Sequence, residues 1–152
     1  MHIVLCEPEI PQNTGNIART CALTGASLHL VKPFGFSLTD KYMKRAGLDY
    51  WDKVKLYIWE TLDECMASLP GGTFFYATTR TERLYTQISY PLTSVLVFGG
   101  ESTGLNKNIL AKNPERLIRI PMKNIGRSLN LSNAAAIILF EALRQQGFQC
   151  LS

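Results

Sequence analysis

A short run of hydroxyl and amide side chains stands immediately before the most apolar segment of the chain. Ser128, Asn130, Ser132 and Asn133 alternate with leucines and lead into residues 134–140, which are all alanine, isoleucine, leucine or phenylalanine. We expect Ser132 or Asn133 to cap a helix there, since both side chains accept backbone N–H bonds well. One cap needs only one such residue, and polar groups beside a buried helix need hydrogen-bond partners. The polar side chains beyond the one that a cap requires therefore predict a bound ligand.

A glycine-rich loop is the second place where chemistry is expected. Residues 98–105, with the sequence FGGESTGL, follow a strand-like run. The loop lacks the GxGxxG pattern of dinucleotide-binding proteins and the lysine of a P-loop. Gly99 and Gly100 would let a flat ligand approach the backbone, and a simple tight turn is an equal alternative. Glu101 would bind either the ligand or backbone amides of the loop.

An amide and a guanidinium are spaced three residues apart near the start of the chain. In a helix, Asn16 and Arg19 share a face, where they could together grip a ribose or a phosphate. The alternative is that Asn16 belongs to a capping network and Arg19 is a solvated surface residue. This segment alone favours that alternative.

The composition narrows the function classes. The chain has 152 residues, 46% of them apolar, which predicts one globular domain spanning residues 1–152. Cys6, Cys21, Cys65 and Cys150 are too scattered for a zinc site and are expected to be buried free thiols. The two histidines lie in strand-like segments, so neither histidine catalysis nor a metal is expected. No apolar run is long enough to span a membrane, which predicts a soluble cytoplasmic protein.

Positive charge is concentrated late in the chain. Residues 101–152 hold seven of the sixteen Lys/Arg and three of the twelve Asp/Glu, which accounts for the whole net charge of +4. An excess of this kind fits a polyanionic partner such as RNA. Taken alone, it favours the alternative, which is ordinary solvated surface charge.

Alternating strands and helices must position these residues, which predicts an α/β protein with a mostly parallel sheet. Strands are predicted at 2–6, 27–31, 55–59, 73–77, 94–98 and 117–120. Helices are predicted from a cap at Asn13 or Thr14 to Leu23, and over 39–46, 62–69, 106–112 and 134–146. Ligands of such sheets gather beyond the carboxyl ends of the strands. The loops 78–83, 99–105 and 121–133 are therefore the predicted binding loops.

In this order, the three clusters resemble the three motifs of the SPOUT methyltransferases, and the likeness covers essentially the whole chain. The residues that carry it are Asn16-x-x-Arg19, Phe98-Gly99-x-Glu101-x-x-Gly104-Leu105, and Ile120-Pro121-Met122 with Ser128-Leu129-Asn130-Leu131-Ser132-Asn133-Ala134. Length, the opening residues 3–11 and residues 45–50 are most similar to the branch that methylates the ribose 2′-OH of the pyrimidine at the tRNA wobble position. One difference is that Gly100 and Ser102-Thr103 stand where the family's loop is expected to carry Pro and Thr-Arg, which removes a possible RNA contact.

The resemblance implies a fold and a cofactor. The fold would be a mostly parallel sheet flanked by helices, with a C-terminal trefoil knot that holds S-adenosylmethionine and releases S-adenosylhomocysteine. Carried over by position, the cofactor-binding residues are Ala77, Thr78, Gly99, Gly100, Glu101, Ile120, Ser128 and Leu129. The resemblance also implies a homodimer in which two subunits complete the site, no membrane partner, and the tRNA anticodon stem-loop as substrate.

The catalytic roles follow from the same likeness. Arg19 matches the family's catalytic arginine; it would orient the 2′-OH and bind the phosphate or, if deprotonated, act as the base. A guanidinium is normally too basic to lose its proton, which favours the first role. Asn16 would orient Arg19, and Ser128 and Asn130 would shape the methyl and ribose site. Two alternatives remain: methylation of another tRNA or rRNA site, and an RNA-binding protein that has kept the fold without the chemistry.

Overall fold

Six parallel strands form one sheet in the computed structural model, which describes residues 1–37, 53–149 and 151. The order across the sheet is β3-β2-β1-β5-β4-β6, and every pairing is parallel. The strands are β1 (His2–Cys6), β2 (Ser27–Val31), β3 (Lys55–Trp59), β4 (Thr73–Ala77), β5 (Ser94–Phe98) and β6 (Leu117–Ile118). The predicted α/β class and parallel sheet are confirmed.

Strand β6 ends two residues earlier than predicted. It pairs with β4 through Leu117 and Ile118. Arg119 then leaves this ladder: its N–H donates to the carbonyl of Arg83, and its carbonyl accepts from the N–H of Tyr85. The backbone bonds that would extend β6 beside β4 are therefore made with the loop that follows β4.

Helices flank the sheet on both sides. They are α1 (Pro11–Thr24), α2 (Leu62–Ala67), α3 (Lys107–Lys112) and α4 (Leu131–Gln145), with a 3₁₀ turn at Pro114–Arg116. Gly25 ends α1 with φ +74°, a left-handed conformation that costs glycine little. The helix predicted over residues 39–46, with Gly47 as its stop, lies outside the described residues.

Both predicted cap positions are wrong. Helix α1 begins at Pro11 rather than after Asn13 or Thr14, because proline suits the first helical position and lacks the N–H that would go unpaired there. Helix α4 begins at Leu131, three residues before the predicted start. Its cap is Asn130, whose Oδ1 accepts from the N–H groups of the residues two and three positions later.

Side chains of alternating strand residues form two buried clusters, one on each face of the sheet. Ile3 and Leu5 of β1 pack with residues of α1 and α4 on one face. Val4 and Cys6 pack with residues of α2 and α3 on the other. Cys6, Cys21 and Cys65 are buried free thiols, as predicted, while Cys150 lies outside the described residues. Within the described ranges, no helix has the length and apolar character needed to cross a membrane.

Candidate active site

A cavity of about 570 Å³ opens at the carboxyl edge of β4, β5 and β6. Its walls come from the three predicted binding loops together with the start of α4. A volume of this size is typical of sites that take up a whole cofactor or substrate. The predicted site residues that line it are Ala77, Thr78, Gly99, Gly100, Glu101, Ile120, Ser128, Leu129 and Asn130.

A hydrogen-bonded chain of side chains joins the first turn of α1 to the second and third motifs. Asn13 Nδ2 donates to Glu101 Oε1 over 2.9 Å, and Asn130 Nδ2 donates to Asn13 Oδ1 over 2.8 Å. Asn13 is 4% exposed and also lines the cavity. From the sequence, Asn13 is expected only as a helix cap. Asn13 is a polar side chain on an otherwise buried face of α1, six positions before Arg19. This feature could have identified it as a site residue.

The Glu101 carboxylate holds the start of α1 in place. Its Oε2 accepts from the N–H of Glu9 over 2.8 Å, and its Oε1 accepts from the N–H of Ile10 over 3.3 Å and from Asn13. Glu101 was expected to bind either a ligand or backbone amides of its own loop. In the structure it binds backbone amides, and these belong to the loop before α1. Its role in cofactor binding stays a prediction.

The loop before α1 also binds the glycine loop through a carboxylate, that of Glu9. Glu9 Oε1 accepts from Ser102 Oγ over 2.6 Å and from the Ser102 N–H over 3.1 Å. These bonds from Ser102 lower the pKa of Glu9 from its ordinary value of 4.5. Ser102, which stands near the place where an arginine was expected, thus binds within the protein. Two reciprocal carboxylate contacts therefore connect the loop before α1 to the second motif.

The paired glycines are required by protein packing. A Cβ on Gly99 would lie 2.1 Å from the carbonyl carbon of Gly104, and one on Gly100 would lie 2.7 Å from the carbonyl oxygen of Glu7. Gly104 adopts φ +66°, and its N–H donates to the carbonyl of Gly100 over 2.8 Å. The tight turn therefore accounts for these glycines, whether or not a ligand also uses the close approach that they permit.

Asn130 has two structural functions. Its Oδ1 caps α4 and also accepts from Ser132 Oγ over 2.7 Å, while its Nδ2 binds Asn13. The surplus of polar side chains noted in the sequence is thus partly explained by the protein itself. Ser128 and Leu129 line the cavity and are exposed to it.

Asn16 and Arg19 lie away from this cavity. Both are exposed on α1, and neither is among the residues that line the cavity. The side of α1 that they occupy also carries Leu23, which is 57% exposed, and α1 packs against α4. On α4, Ile137 and Phe140 are 38% and 46% exposed, so this helix is buried along one face rather than all round.

Arginines surround the mouth of the cavity. Arg80, Arg119 and Arg127 are among its lining residues. Arg119 Nη1 forms an ion pair with Glu82 at 3.0 Å. Arg80 and Arg127 are exposed and have no ion pair among the described residues, so they add positive charge that attracts polyanions.

A family comparison matches residues 1–140 to the SpoU rRNA methylase family. The chain belongs to this family. The family predicted from the three motifs is thereby confirmed, and the SpoU architecture accounts for a site made from loops at the carboxyl edge of a parallel sheet.

Individual SpoU-type relatives cover nearly the whole chain. A tRNA (cytidine(34)-2′-O)-methyltransferase of Methylovorus glucosotrophus is 50% identical over 147 residues, which are 96% of each protein. A solved structure reported for the 2-OH methylation of C/U34 on tRNA is 41% identical, with a TM-score of 0.91 over 96% of this chain and 95% of that one.

A more distant SpoU-type structure includes a bound cofactor. The AdoMet-bound rRNA methyltransferase of Sinorhizobium meliloti is 28% identical with a TM-score of 0.84. The match covers 99% of this chain and 57% of the Sinorhizobium meliloti protein. The likeness therefore covers one part of that longer protein.

Proposed function

We propose that this chain is a tRNA methyltransferase that transfers the methyl group of S-adenosylmethionine to the ribose 2′-OH of the pyrimidine at the anticodon wobble position. The observation that carries the proposal is the cavity built from the second and third motifs, whose loops are bonded through Asn13 to the helix that carries the first motif. The 50% identical relative with this activity in its name supports the choice of nucleotide.

The residues around the cavity suit S-adenosylmethionine. Apolar side chains of Ile120, Leu129 and Ile138 line it beside the glycine loop, a mixture suited to an adenosine ring and an aliphatic chain. Among the described residues, the backbone groups of Ile120 and Leu129 have no hydrogen-bond partner, so they are available to a ligand. We assign the cofactor to Ala77, Thr78, Gly99, Gly100, Glu101, Ile120, Ser128 and Leu129. When bound, it supplies the electrophilic methyl group.

The protein aligns the reacting groups. The proton of the 2′-OH passes to solvent water, or to Arg19 if that guanidinium is deprotonated. Arg19 binds the phosphate next to the target ribose and orients the 2′-OH, with Asn16 holding the guanidinium in place. Ser128 and Asn130 shape the position of the ribose at the cavity. Fixing the two reacting groups in this way converts a bimolecular reaction into an effectively unimolecular one.

A second subunit completes the site in this proposal. Arg19 lies on the exposed side of α1, outside the cavity of its own chain. Exposed Leu23, Ile137 and Phe140 lie on the two helices that pack together there. Pairing of two chains through α1 and α4 would bury these side chains and bring Arg19 towards the partner's cavity.

The path of the chain after β6 bears on the proposed knot. After β6 the chain is bonded to the loop at 83–85 and then returns to α1 through Asn130, a path that is compatible with a C-terminal trefoil knot. We propose such a knot, one catalytic domain over residues 1–152, and action on tRNA in the cytoplasm.

The test is to incubate the protein with methyl-labelled S-adenosylmethionine and tRNA and to map the labelled nucleotide. Label on the 2′-oxygen of nucleotide 34 is expected, and a tRNA with 2′-deoxyribose at that position is the control that should stay unlabelled. Label on another tRNA or rRNA nucleotide would overturn the wobble assignment. RNA binding without any label would identify a non-enzymatic RNA-binding protein.

A further inference from the structure

A second cavity, of about 400 Å³, lies between α2 and α3. It is on the face of the sheet opposite α1 and α4, since Cys65 of α2 and Leu110 of α3 belong to the cluster on that face. Leu62, Met66 and Ile109 form its apolar walls. The proposed methyl transfer gives no role to this cavity.

A buried phenol at this cavity has only a poor partner. Tyr76 of β4 is 1% exposed and is one of the lining residues. Its hydroxyl donates to Met66 Sδ over 3.9 Å, and among the described residues no oxygen or nitrogen accepts from it. A thioether is a weak acceptor. Burial raises the pKa of Tyr76, with Cys6, Glu115 and Asp63 adding to the effect, so the hydroxyl stays a neutral donor. Such a group is suited to a ligand that offers a stronger acceptor.

The rim of the second cavity carries side-chain amides whose hydrogen-bonding groups are only partly paired within the protein. Asn106 Oδ1 accepts from the N–H of Asn108 over 2.8 Å, and Asn113 Nδ2 donates to the carbonyl of Ile109 over 2.8 Å. Within the described part of the chain, the Asn106 Nδ2, the Asn113 Oδ1 and the whole Asn108 amide have no partner. Both donors and acceptors therefore remain, above walls that are apolar. A nucleobase has this combination of flat faces and a mixed polar edge.

The second cavity lies near the first. Both lie at the carboxyl edge of the sheet, and consecutive residues of α3 face them: Leu110 lines the first and Ile109 the second. Residues of α3 therefore line both cavities, and a helix with its side chains is about 10–12 Å across. One flexible RNA strand is therefore able to reach both. Exposed Lys112 at the second rim supplies a positive charge for a phosphate.

We propose that the second cavity binds one nucleobase of the anticodon loop, close in sequence to the nucleotide that is methylated. This inference rests on the proposed function, because it takes tRNA as the substrate. It assigns to Tyr76, Asn108 and Lys112 the recognition of a second nucleotide, separate from methyl transfer. Such a contact would raise the affinity for tRNA and would leave the affinity for the cofactor unchanged.

Methionine methyl groups allow both cavities to be observed at once. The chain has four methionines, and Met122 lines the first cavity while Met66 lines the second. In protein labelled with ¹³C at the methionine methyls, S-adenosylmethionine should shift the Met122 signal and leave that of Met66 unchanged. Adding tRNA should then shift the Met66 signal. Met66→Leu assigns this signal by removing it.

Variants test the same contact through kinetics. Asn108→Ala and Lys112→Ala should each raise the KM for tRNA about fivefold, as expected for the loss of one hydrogen bond or charge contact, with kcat and cofactor affinity unchanged. Lys107→Ala is the matched control, because this exposed lysine of the same helix lines neither cavity. Tyr76→Phe removes only the hydroxyl and should weaken tRNA binding in the same way.

The outcomes separate the two proposals. If tRNA is methylated but leaves the Met66 signal unchanged, or if Lys107→Ala and Lys112→Ala raise KM equally, the second nucleobase site is overturned and the proposed function stands. A Met66 shift caused by free mononucleotides and not by tRNA would also overturn it, in favour of a small-molecule site. If the wild-type protein neither binds nor methylates tRNA, both proposals fail.

Discussion

Asn130 donates a hydrogen bond of 2.8 Å to Asn13 across 117 positions of sequence. The donor caps the last helix and the acceptor lies in the first turn of the first helix. Asn13 also donates to Glu101, so its amide bonds both the glycine loop and the start of α4. Together with the contacts of Glu9 and Glu101, this buried side chain fixes the relative position of α1 and the two cavity loops.

Replacing Asn13 with Ala should destabilise the protein and weaken cofactor binding. The change leaves Asn130 Nδ2 and one bond of Glu101 without a partner, which costs about 1–3 kcal/mol of unfolding free energy. Chemical unfolding and calorimetric titration with S-adenosylmethionine measure the two effects. Gln12→Ala, at the exposed neighbouring position, is the control; equal behaviour of the two variants would contradict the role of Asn13.

Glu9 should contribute to stability in a pH-dependent way. Because bonds from Ser102 lower its pKa below 4.5 in the folded state, this contribution is present above pH 4.5 and is lost as the pH falls through the folded value. Unfolding free energy measured from pH 7 to pH 3 should therefore fall less steeply in Glu9→Gln and in Ser102→Ala than in the wild type. Parallel curves for all three proteins would count against this contact.

His29 should stay neutral well below the usual range of histidine. Burial, followed by the effect of His2, lowers its pKa from 6.5 to about 4. Since Trp59 Nε1 donates to His29 Nδ1, the proton of neutral His29 is on Nε2 and is donated to His2 Nδ1 over 3.0 Å. Stability should be lost as the pH falls from 6.5 to about 4, by roughly 3 kcal/mol in total.

Titration by NMR tests this arrangement directly. The ring proton of His29 should not shift between pH 8 and pH 5 in the wild type. Trp59→Phe removes a donor that binds only the neutral ring, so it should raise the pKa of His29. A wild-type midpoint near 6.5 would refute the prediction.

Phe140→Asp should convert a dimer into a monomer. The ring is 46% exposed on α4 beside Ile137, where the proposed pairing would bury it, and a carboxylate placed there would be costly to desolvate. Light scattering gives the mass of each protein. Leu92→Asp is the matched control, since Leu92 is 65% exposed in the turn before β5 and should not change the mass. A monomeric wild type would refute both the interface and the shared site.

Arg19→Ala should abolish methyl transfer while leaving cofactor affinity unchanged, because Arg19 does not line the cavity of its own chain. If Arg19 acts across the interface, mixing this variant with Leu129→Asp, which should block cofactor binding, restores activity. About a quarter of the wild-type rate is expected, because half of the random dimers carry one intact site. No recovery in dimers shown to exchange subunits would place Arg19 in its own chain's site.

The bounds of β1 to β5 and the three motifs could be predicted from sequence because they depend on local features, whereas β6 ends early because of a contact with the loop at 83–85. β1 to β5 were predicted to the residue, since short apolar runs between turn residues specify buried strands. The helix starts were less well predicted. Pro11 begins α1 after an N-cap, Ile10, that makes no side-chain cap bond. Asn130 caps α4 although its polar neighbours suit a cap equally well.

The sequence by itself determined the family, the parallel sheet and the loops that form the cavity, because residue types and their order carry that information. Only the tertiary structure decided how the polar side chains are used. Glu101 and Asn130 were identified as ligand-binding candidates, yet each hydrogen-bonds Asn13, which is 88 positions from Glu101 and 117 positions from Asn130. The second cavity likewise joins residues of β4, α2 and α3. Such contacts depend on which segments the fold brings together, and spacing along the chain does not encode them.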